Sequence, residues 1–210
     1  MQTGNDAIIR AANATSMQLV RTYLAASAEA KARSAEECAE AIVAAATMIA
    51  QSLRQGGKLL VCGNGGSAAD SQHLAGEFVS VLDRRRMRPA MAALALTTNS
   101  SILTAIGNDF GFAGIFERQV EALGRSGDIL VGISTSGTSE NVVRAFEQAH
   151  QKGMKTIALT GGKMGILSQK ADVAICVPNE NTQHIQEVHL AVEHLLCMLT
   201  ERSLFGGEEK

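Results

Sequence analysis

The chain has 210 residues, with 19 Lys+Arg against 21 Asp+Glu for a formal charge of -2, and it is 46% hydrophobic but only 3% aromatic. Near-neutral charge excludes the basic stripe of a general nucleic-acid binder, scarce rings exclude base-stacking platforms, and an apolar, Pro-poor composition excludes disorder. With 32 Ala and 20 Gly, and length enough to bury roughly 70% of its unfolded surface, the chain is expected to form one α/β domain with an accessory helical layer.

The first 55 residues contain no Pro and are rich in Ala, Glu, Gln, Met and Leu, all good helix formers. Ser34 followed by Glu37 has capping-box spacing, so two helices are predicted, 5–32 and 35–54, stopped by Gly56-Gly57. Ala41, Ala45, Met48, Ile49 and Leu53 recur at helical spacing. Beyond Gly57, short apolar runs alternate with helical stretches. Strands are predicted at Lys58–Cys62, Ala90–Leu96, Asp128–Ile133, Thr156–Thr160 and Val173–Val177. Helices are predicted near 67–82, 100–106, 113–123, 139–152 and 164–170, with a last one over 182–204. Continuous apolar strands belong to a parallel sheet covered on both faces. The fold class is therefore a doubly wound, three-layer α/β/α sandwich with a five-stranded parallel sheet, preceded by N-terminal helices. The charge run Asp83-Arg84-Arg85-Arg86-Met87-Arg88 reads as a solvated loop, with a ligand-phosphate role as the alternative.

Cys38, Cys62, Cys176 and Cys197 show no CxxC spacing and read as buried reduced thiols. The N-terminus lacks the n- and h-regions of a secretory signal, and no apolar run reaches about 18 residues. No membrane association and a cytoplasmic location are expected.

In such sheets ligands bind beyond the carboxyl ends of the strands. The first predicted strand ends in Cys62-Gly63-Asn64-Gly65-Gly66-Ser67-Ala68. Its glycines let the backbone approach a ligand, and the helix that follows aims free N–H groups at an anion. It lacks the Lys of a Walker A loop, and a plain Gly-rich turn is the alternative. The third predicted strand leads into Ser134-Thr135-Ser136-Gly137-Thr138-Ser139. Five hydroxyls at a helix start can hold a phosphate without Lys or Arg.

His73 and Glu77 stand at i and i+4 on the helix after the Gly turn, on one face. They suit a zinc site or an acid/base pair, or form a chance surface pair. On the last helix His184, His189 and His194 fall within eleven residues. Gln186 and His194 share a face there, about 12 Å apart along the axis, and either a metal role or structural histidines fit.

Together Cys62–Asp70 (CGNGGSAAD), Gln72–Glu77 (QHLAGE), Ala105–Gly111 (AIGNDFG), Gly132–Ser139 (GISTSGTS), and Ile185–His189 (IQEVH) with His194 resemble the bacterial phosphoheptose isomerases, proteins of the sugar isomerase (SIS) domain family. The resemblance runs from the helical N-terminus to Leu204-Phe205-Gly206. It implies an N-terminal oligomerisation layer over 1–55, a sugar-phosphate-binding SIS domain over 56–205 and a tail over 206–210. It implies aldose–ketose isomerisation of sedoheptulose 7-phosphate through an enediol, the first step toward nucleotide-activated heptose for lipopolysaccharide or other surface glycans. Carried over by position, Glu77 and His194 would be the catalytic pair. One Zn2+ per subunit would be held by His73, Glu77, Gln186 and His194. Asn64, Gly65, Gly66, Ser67, Glu77, Asn108, Asp109, Ser134, Thr135, Ser136, Ser139 and Gln186 would contact the sugar phosphate. The family's homotetramers, with active sites at subunit contacts, would suit the Ala-rich helices. Members of the resembled family usually carry Arg four residues after this Glu, where the chain has Val81. A non-catalytic relative of the family binds the replication initiator DnaA; retention of both Glu77 and His194 favours the enzyme.

Overall fold

The apolar runs pair into one parallel sheet. The structure is a computed structural model describing residues 2–162 and 165–206, with side chains from Asn13 onward. The strands are β1 (Leu59–Gly63), β2 (Ala93–Ala95), β3 (Ile129–Ser134), β4 (Lys155–Gly161) and β5 (Val173–Val177), in the order β2-β1-β3-β4-β5. The helices are α1 (Gln2–Glu37), α2 (Ala39–Arg54), α3 (Gly66–Val79), α4 (Ser100–Phe110), α5 (Glu117–Leu123), α6 (Glu140–Gln151), α7 (Ile166–Lys170) and α8 (Thr182–Phe205). The expected doubly wound, three-layer architecture with N-terminal helices is borne out.

The period-two alternation of strand side chains divides the core. Leu59, Val61, Ile129, Val131, Ile133, Ile157 and Leu159 point to one face, where Ile49 of α2, Leu74 and Phe78 of α3 and Val188, Val192 and Leu196 of α8 cover them. Leu60, Cys62, Leu130 and Ala158 point to the other, against Val120 of α5 and Val142, Ala145 and Phe146 of α6. At Gly132 in β3 a Cβ would stand 2.5 Å from Phe146, so only glycine lets α6 pack this closely. The four cysteines are free thiols. Among the described residues, no helix is long and apolar enough to cross a membrane.

Strand order reverses between β1 and β3. That is the switch point at which the carboxyl ends of an open α/β sheet leave a ligand crevice. The Gly-rich turn follows β1 and the hydroxyl-rich loop follows β3, so both candidate loops open on it.

Some boundaries differ from expectation. Ser34 caps no helix: α1 continues to Glu37, and the break falls at Cys38. The Ser34 hydroxyl is buried and donates to the Ala30 carbonyl at 2.7 Å, the in-helix alternative for a serine without solvent. Glu37 pairs with Arg33 instead of capping. The expected 90–96 strand shortens to Ala93–Ala95, because β2 is an edge strand whose register with β1 spans only those residues. The 113–123 segment divides into a 3-10 turn, Phe112–Gly114, and α5, glycines at 111 and 114 weakening continuous helix. Helix α4 continues past 106 to Phe110 and ends at Gly111, whose φ is +78°. Residue 164, the expected start of the 164–170 helix, lies outside the described residues, as does the 207–210 part of the tail. The charge run is a solvated loop from Arg84 to Met87, but Arg88 is not: its side chain is only 3% exposed.

Candidate active site

The turn after β1 is shaped by two glycines with different tasks. Gly65 has φ +55°, a left-handed conformation that disfavours side chains. Gly66 opens α3, and a Cβ there would fall 2.5 Å from both amide heteroatoms of Gln186. Glycine therefore lets the α8 side chain lie across the start of α3. The Gln186 amide also donates to Asp70 Oδ1 at 3.1 Å. Ser67 is buried in the first turn of α3. Asn64 is tied sideways: its amide exchanges two hydrogen bonds, 2.9 and 2.8 Å, with Asn141 at the start of α6. That pair joins the two loops at the switch point. The sequence reading missed Asn141, and no local pattern marks it.

After β3 the hydroxyls gather on one another. Ser134 Oγ lies 2.9 Å from Ser139 Oγ and 3.4 Å from Ser136 Oγ, and Ser136 Oγ accepts from the Thr138 amide and hydroxyl. Ser139 occupies the N-cap of α6 without a side-chain bond to its amides. The helix start thus presents donors rather than a closed cap. Thr135 and Ser136 border a cavity of about 230 Å³ that is also lined by Gly161, Gly162, Asn179, Glu180 and Thr182. These five were missed from sequence, although a Gly-Gly pair ending a strand was a visible signal.

On the adjoining helices three side chains converge. His73 and Glu77 of α3 meet His194 of α8, and one ligand atom from each lies within 4.8 Å of the others. His73 Nε2 is 3.0 Å from His194 Nε2 and 3.8 Å from Glu77 Oε1. The rings meet edge-on, centroids 5.0 Å apart. Ligand atoms of a tetrahedral zinc, each about 2.0–2.1 Å from the ion, stand roughly 3.3 Å from one another. The observed spacings bracket that value, so this donor set fits a zinc ion. Gln186 sits near the start of α3, two helical turns before His194.

Asn108 and Asp109 stand apart. Both are exposed at the end of α4, hydrogen-bonded to each other at 2.7 Å. No described residue of α4 is buried.

The other α8 histidines are structural. His184 lies 3.2 Å from Glu187, which also accepts from the Tyr23 hydroxyl of α1 at 2.7 Å. Hydrogen bonds from Ser27, Tyr23 and His184 draw the Glu187 carboxyl down to about 2. His189 is fully buried, donates Nε2–H to the Thr160 carbonyl at 3.2 Å, and has no partner for Nδ1 among the described residues. Burial lowers its pKa to about 4. An unfolded histidine titrates near 6.5, so it takes up a proton on acidification before the folded one does. The resulting stability is complete above about pH 6.5 and is lost as pH falls toward 4, an effect on the order of 3 kcal/mol. His189→Gln keeps a donor to Thr160. It is expected to flatten the pH dependence of urea unfolding between pH 6.5 and 4; a slope equal to wild type would contradict a neutral buried His189.

Glu193, next to His194, is also fully buried, and neither of its oxygens has a partner among the described residues. Burial, reinforced by the Asp70 charge, raises its carboxyl to about 9. These surroundings favour its neutral form.

Comparison with known proteins follows the same lines. Residues 22–161 match the SIS domain family. A phosphoheptose isomerase of Roseiflexus sp. is 53% identical over 180 residues, 86% of this chain and 90% of the relative. The solved phosphoheptose isomerase of Neisseria gonorrhoeae superposes with a TM-score of 0.83 at 45% identity, covering 88% of this chain and 98% of that one. That of Francisella tularensis gives 0.85 at 40% identity, covering 89% and 98%.

Proposed function

The chain belongs to the SIS-domain family and to its phosphoheptose isomerases, and we propose that it converts sedoheptulose 7-phosphate to D-glycero-D-manno-heptose 7-phosphate through an enediol. The observation that carries this reading is the meeting of His73, Glu77 and His194 across α3 and α8, beside two anion-directed loops at the sheet's switch point. A DnaA-binding, non-catalytic role is not favoured.

Moving a carbonyl from C2 to C1 needs a base for a carbon-bound proton and a second group for the oxygens. Glu77 takes a proton from C1 and returns it to C2. His194 gives a proton to O2 and accepts the one leaving O1. The carboxylate of Glu77 has two oxygens, so one can face the histidines while the other works on carbon. Zinc, held by His73, Glu77, His194 and Gln186, would supply positive charge beside the reacting carbonyl oxygen. Ser134, Thr135, Ser136, Ser139 and the first amides of α6 hold the phosphate, converting its binding into alignment of C1 and C2. Hydroxyls and amides suffice there, which suits a chain whose formal net charge is -2.

Surface chemistry supports assembly. Met17, Leu19, Val20 and Leu24 of α1 are each more than half exposed, as are Phe110 and Phe112 at the end of α4. Further copies of the chain, in a homotetramer, would cover them. Asn108 and Asp109, projecting on α4, would then serve at a subunit contact. The isomerisation supports a place at the entry to nucleotide-heptose synthesis.

Turnover of sedoheptulose 7-phosphate in D2O, followed by NMR, tests the mechanism. Deuterium is expected at C2 of part of the aldose, entering where the proton held by Glu77 exchanges with solvent before it returns, and chelation is expected to remove activity that zinc restores. Aldose and recovered ketose both free of deuterium would leave the enediol route without support from this experiment, Glu77→Gln turnover then being the deciding measurement, and chelator resistance would remove the metal.

A further inference from the structure

One arginine in the charge run has left solvent, and all three of its guanidinium nitrogens are engaged. Arg88 Nη2 donates to the carbonyl of Glu77 at 2.8 Å. Its Nη1 donates to the carbonyls of Phe78 at 2.9 Å, Ser80 at 3.1 Å and Pro89 at 3.0 Å. Its Nε donates to Glu201 Oε1 of α8 at 2.6 Å, and this ion pair is buried, the side chains 3% and 13% exposed. Cys197 of α8 adds a thiol contact to the Glu77 carbonyl at 3.6 Å.

The last carbonyls of a helix have no partner within it. In α3, which ends at Val79, Arg88 takes up two of them, and a cation there also opposes the negative end of the helix dipole. One of the two belongs to Glu77. The other anchor, Glu201, lies seven residues after His194, two turns along the same face of α8. Arg88 thus joins the peptide unit of Glu77 to the helix that carries His194.

We infer that Arg88, held by Glu201, is a positioning residue that fixes the separation of Glu77 from His194 and thereby sets both turnover and metal affinity. This rests on the isomerase reading of the site. Only a planar fork spans these acceptors: a lysine ammonium, donating from one atom, cannot reach a carboxylate and several carbonyls at once. Groups that orient metal ligands change affinity or activity by about 10–100-fold when removed.

The test compares wild type, Arg88→Lys, Arg88→Ala and Glu201→Gln for kcat, KM, zinc affinity by competition with a chromophoric chelator, and thermal unfolding. In Arg88→Lys, kcat is expected to fall about 10–100-fold and zinc affinity to weaken by a similar factor, with KM within about threefold. Added guanidinium is expected to recover part of the kcat of Arg88→Ala. Glu201→Gln keeps the shape and is expected to lose less, about 3–10-fold, which preserves the test should the Arg88 variants fail to fold. Folded Arg88→Lys with wild-type kcat and zinc affinity would overturn the inference. So would losses that follow the unfolded fraction alone, and so would wild-type behaviour of Glu201→Gln if the Arg88 variants do not fold. A wild-type protein with neither turnover nor zinc binding would instead overturn the isomerase reading, and this inference with it.

Discussion

Glu77→Gln and His194→Gln are each expected to lower kcat for sedoheptulose 7-phosphate by at least about 10³-fold while the protein keeps its fold and assembly. A positioned general acid or base contributes about 10²–10⁴-fold. Each residue also belongs to the cluster whose ligand atoms lie within 4.8 Å of one another, so each substitution would also disturb the proposed zinc ligand set. Effects of groups acting as a unit do not add, so the double variant should be little worse than either single one. Both side chains are only partly buried, and neither contributes to the hydrophobic clusters. Melting temperature should therefore move little. A single variant that turns over within about tenfold of wild type would remove that residue from the proton path.

Loss of the proposed phosphate loop is expected to have the other large effect. Ser136→Ala with Ser139→Ala removes both hydroxyls that lie within hydrogen-bonding distance of the Ser134 hydroxyl. A hydrogen bond to a charged group contributes about 1.5–3 kcal/mol, or roughly 10–150-fold in binding. The two serines share a partner, so their effects are coupled, and a rise in KM of about 10²–10³-fold is expected for the pair. Some loss of kcat should accompany it, since phosphate binding also aligns C1 and C2. Inorganic phosphate is expected to inhibit wild type competitively and to lose that inhibition in the variant. An unchanged KM together with unchanged phosphate inhibition would place the phosphate elsewhere.

Both loops and both helices of the site were legible because their chemistry is local. A strand that is an unbroken apolar run, followed by glycines or by five hydroxyls in six residues, announces its turn without any tertiary information. His73 and Glu77 stand one turn apart on a single helix. Their meeting with His194, 121 residues away, was not readable from spacing and came from the family resemblance. The residues that went unread depend on distant partners. Asn64 and Asn141 are 77 positions apart, and neither tract signals the other. Arg88 follows four exposed residues, Arg84 to Met87; its burial comes from Glu201, 113 residues on, and from helix carbonyls that no side-chain pattern displays. Ser34 looked like a cap because its spacing to Glu37 was right, but a buried serine inside an Ala-rich helix satisfies itself on the preceding turn.

Position 81, four residues after Glu77, is Val where the resemblance leads one to expect Arg, so substrate choice is the sharpest test. The decisive measurement is the initial rate of aldose formation by the purified, zinc-loaded protein from sedoheptulose 7-phosphate, with fructose 6-phosphate in parallel. A heptose 7-phosphate should form from the former, with kcat/KM at least about 10²-fold above that for the latter, because the phosphate loop and the Glu77–His194 pair are aligned together only by a chain of the right length. Absence of aldose from sedoheptulose 7-phosphate, or equal or faster turnover of fructose 6-phosphate, would contradict it.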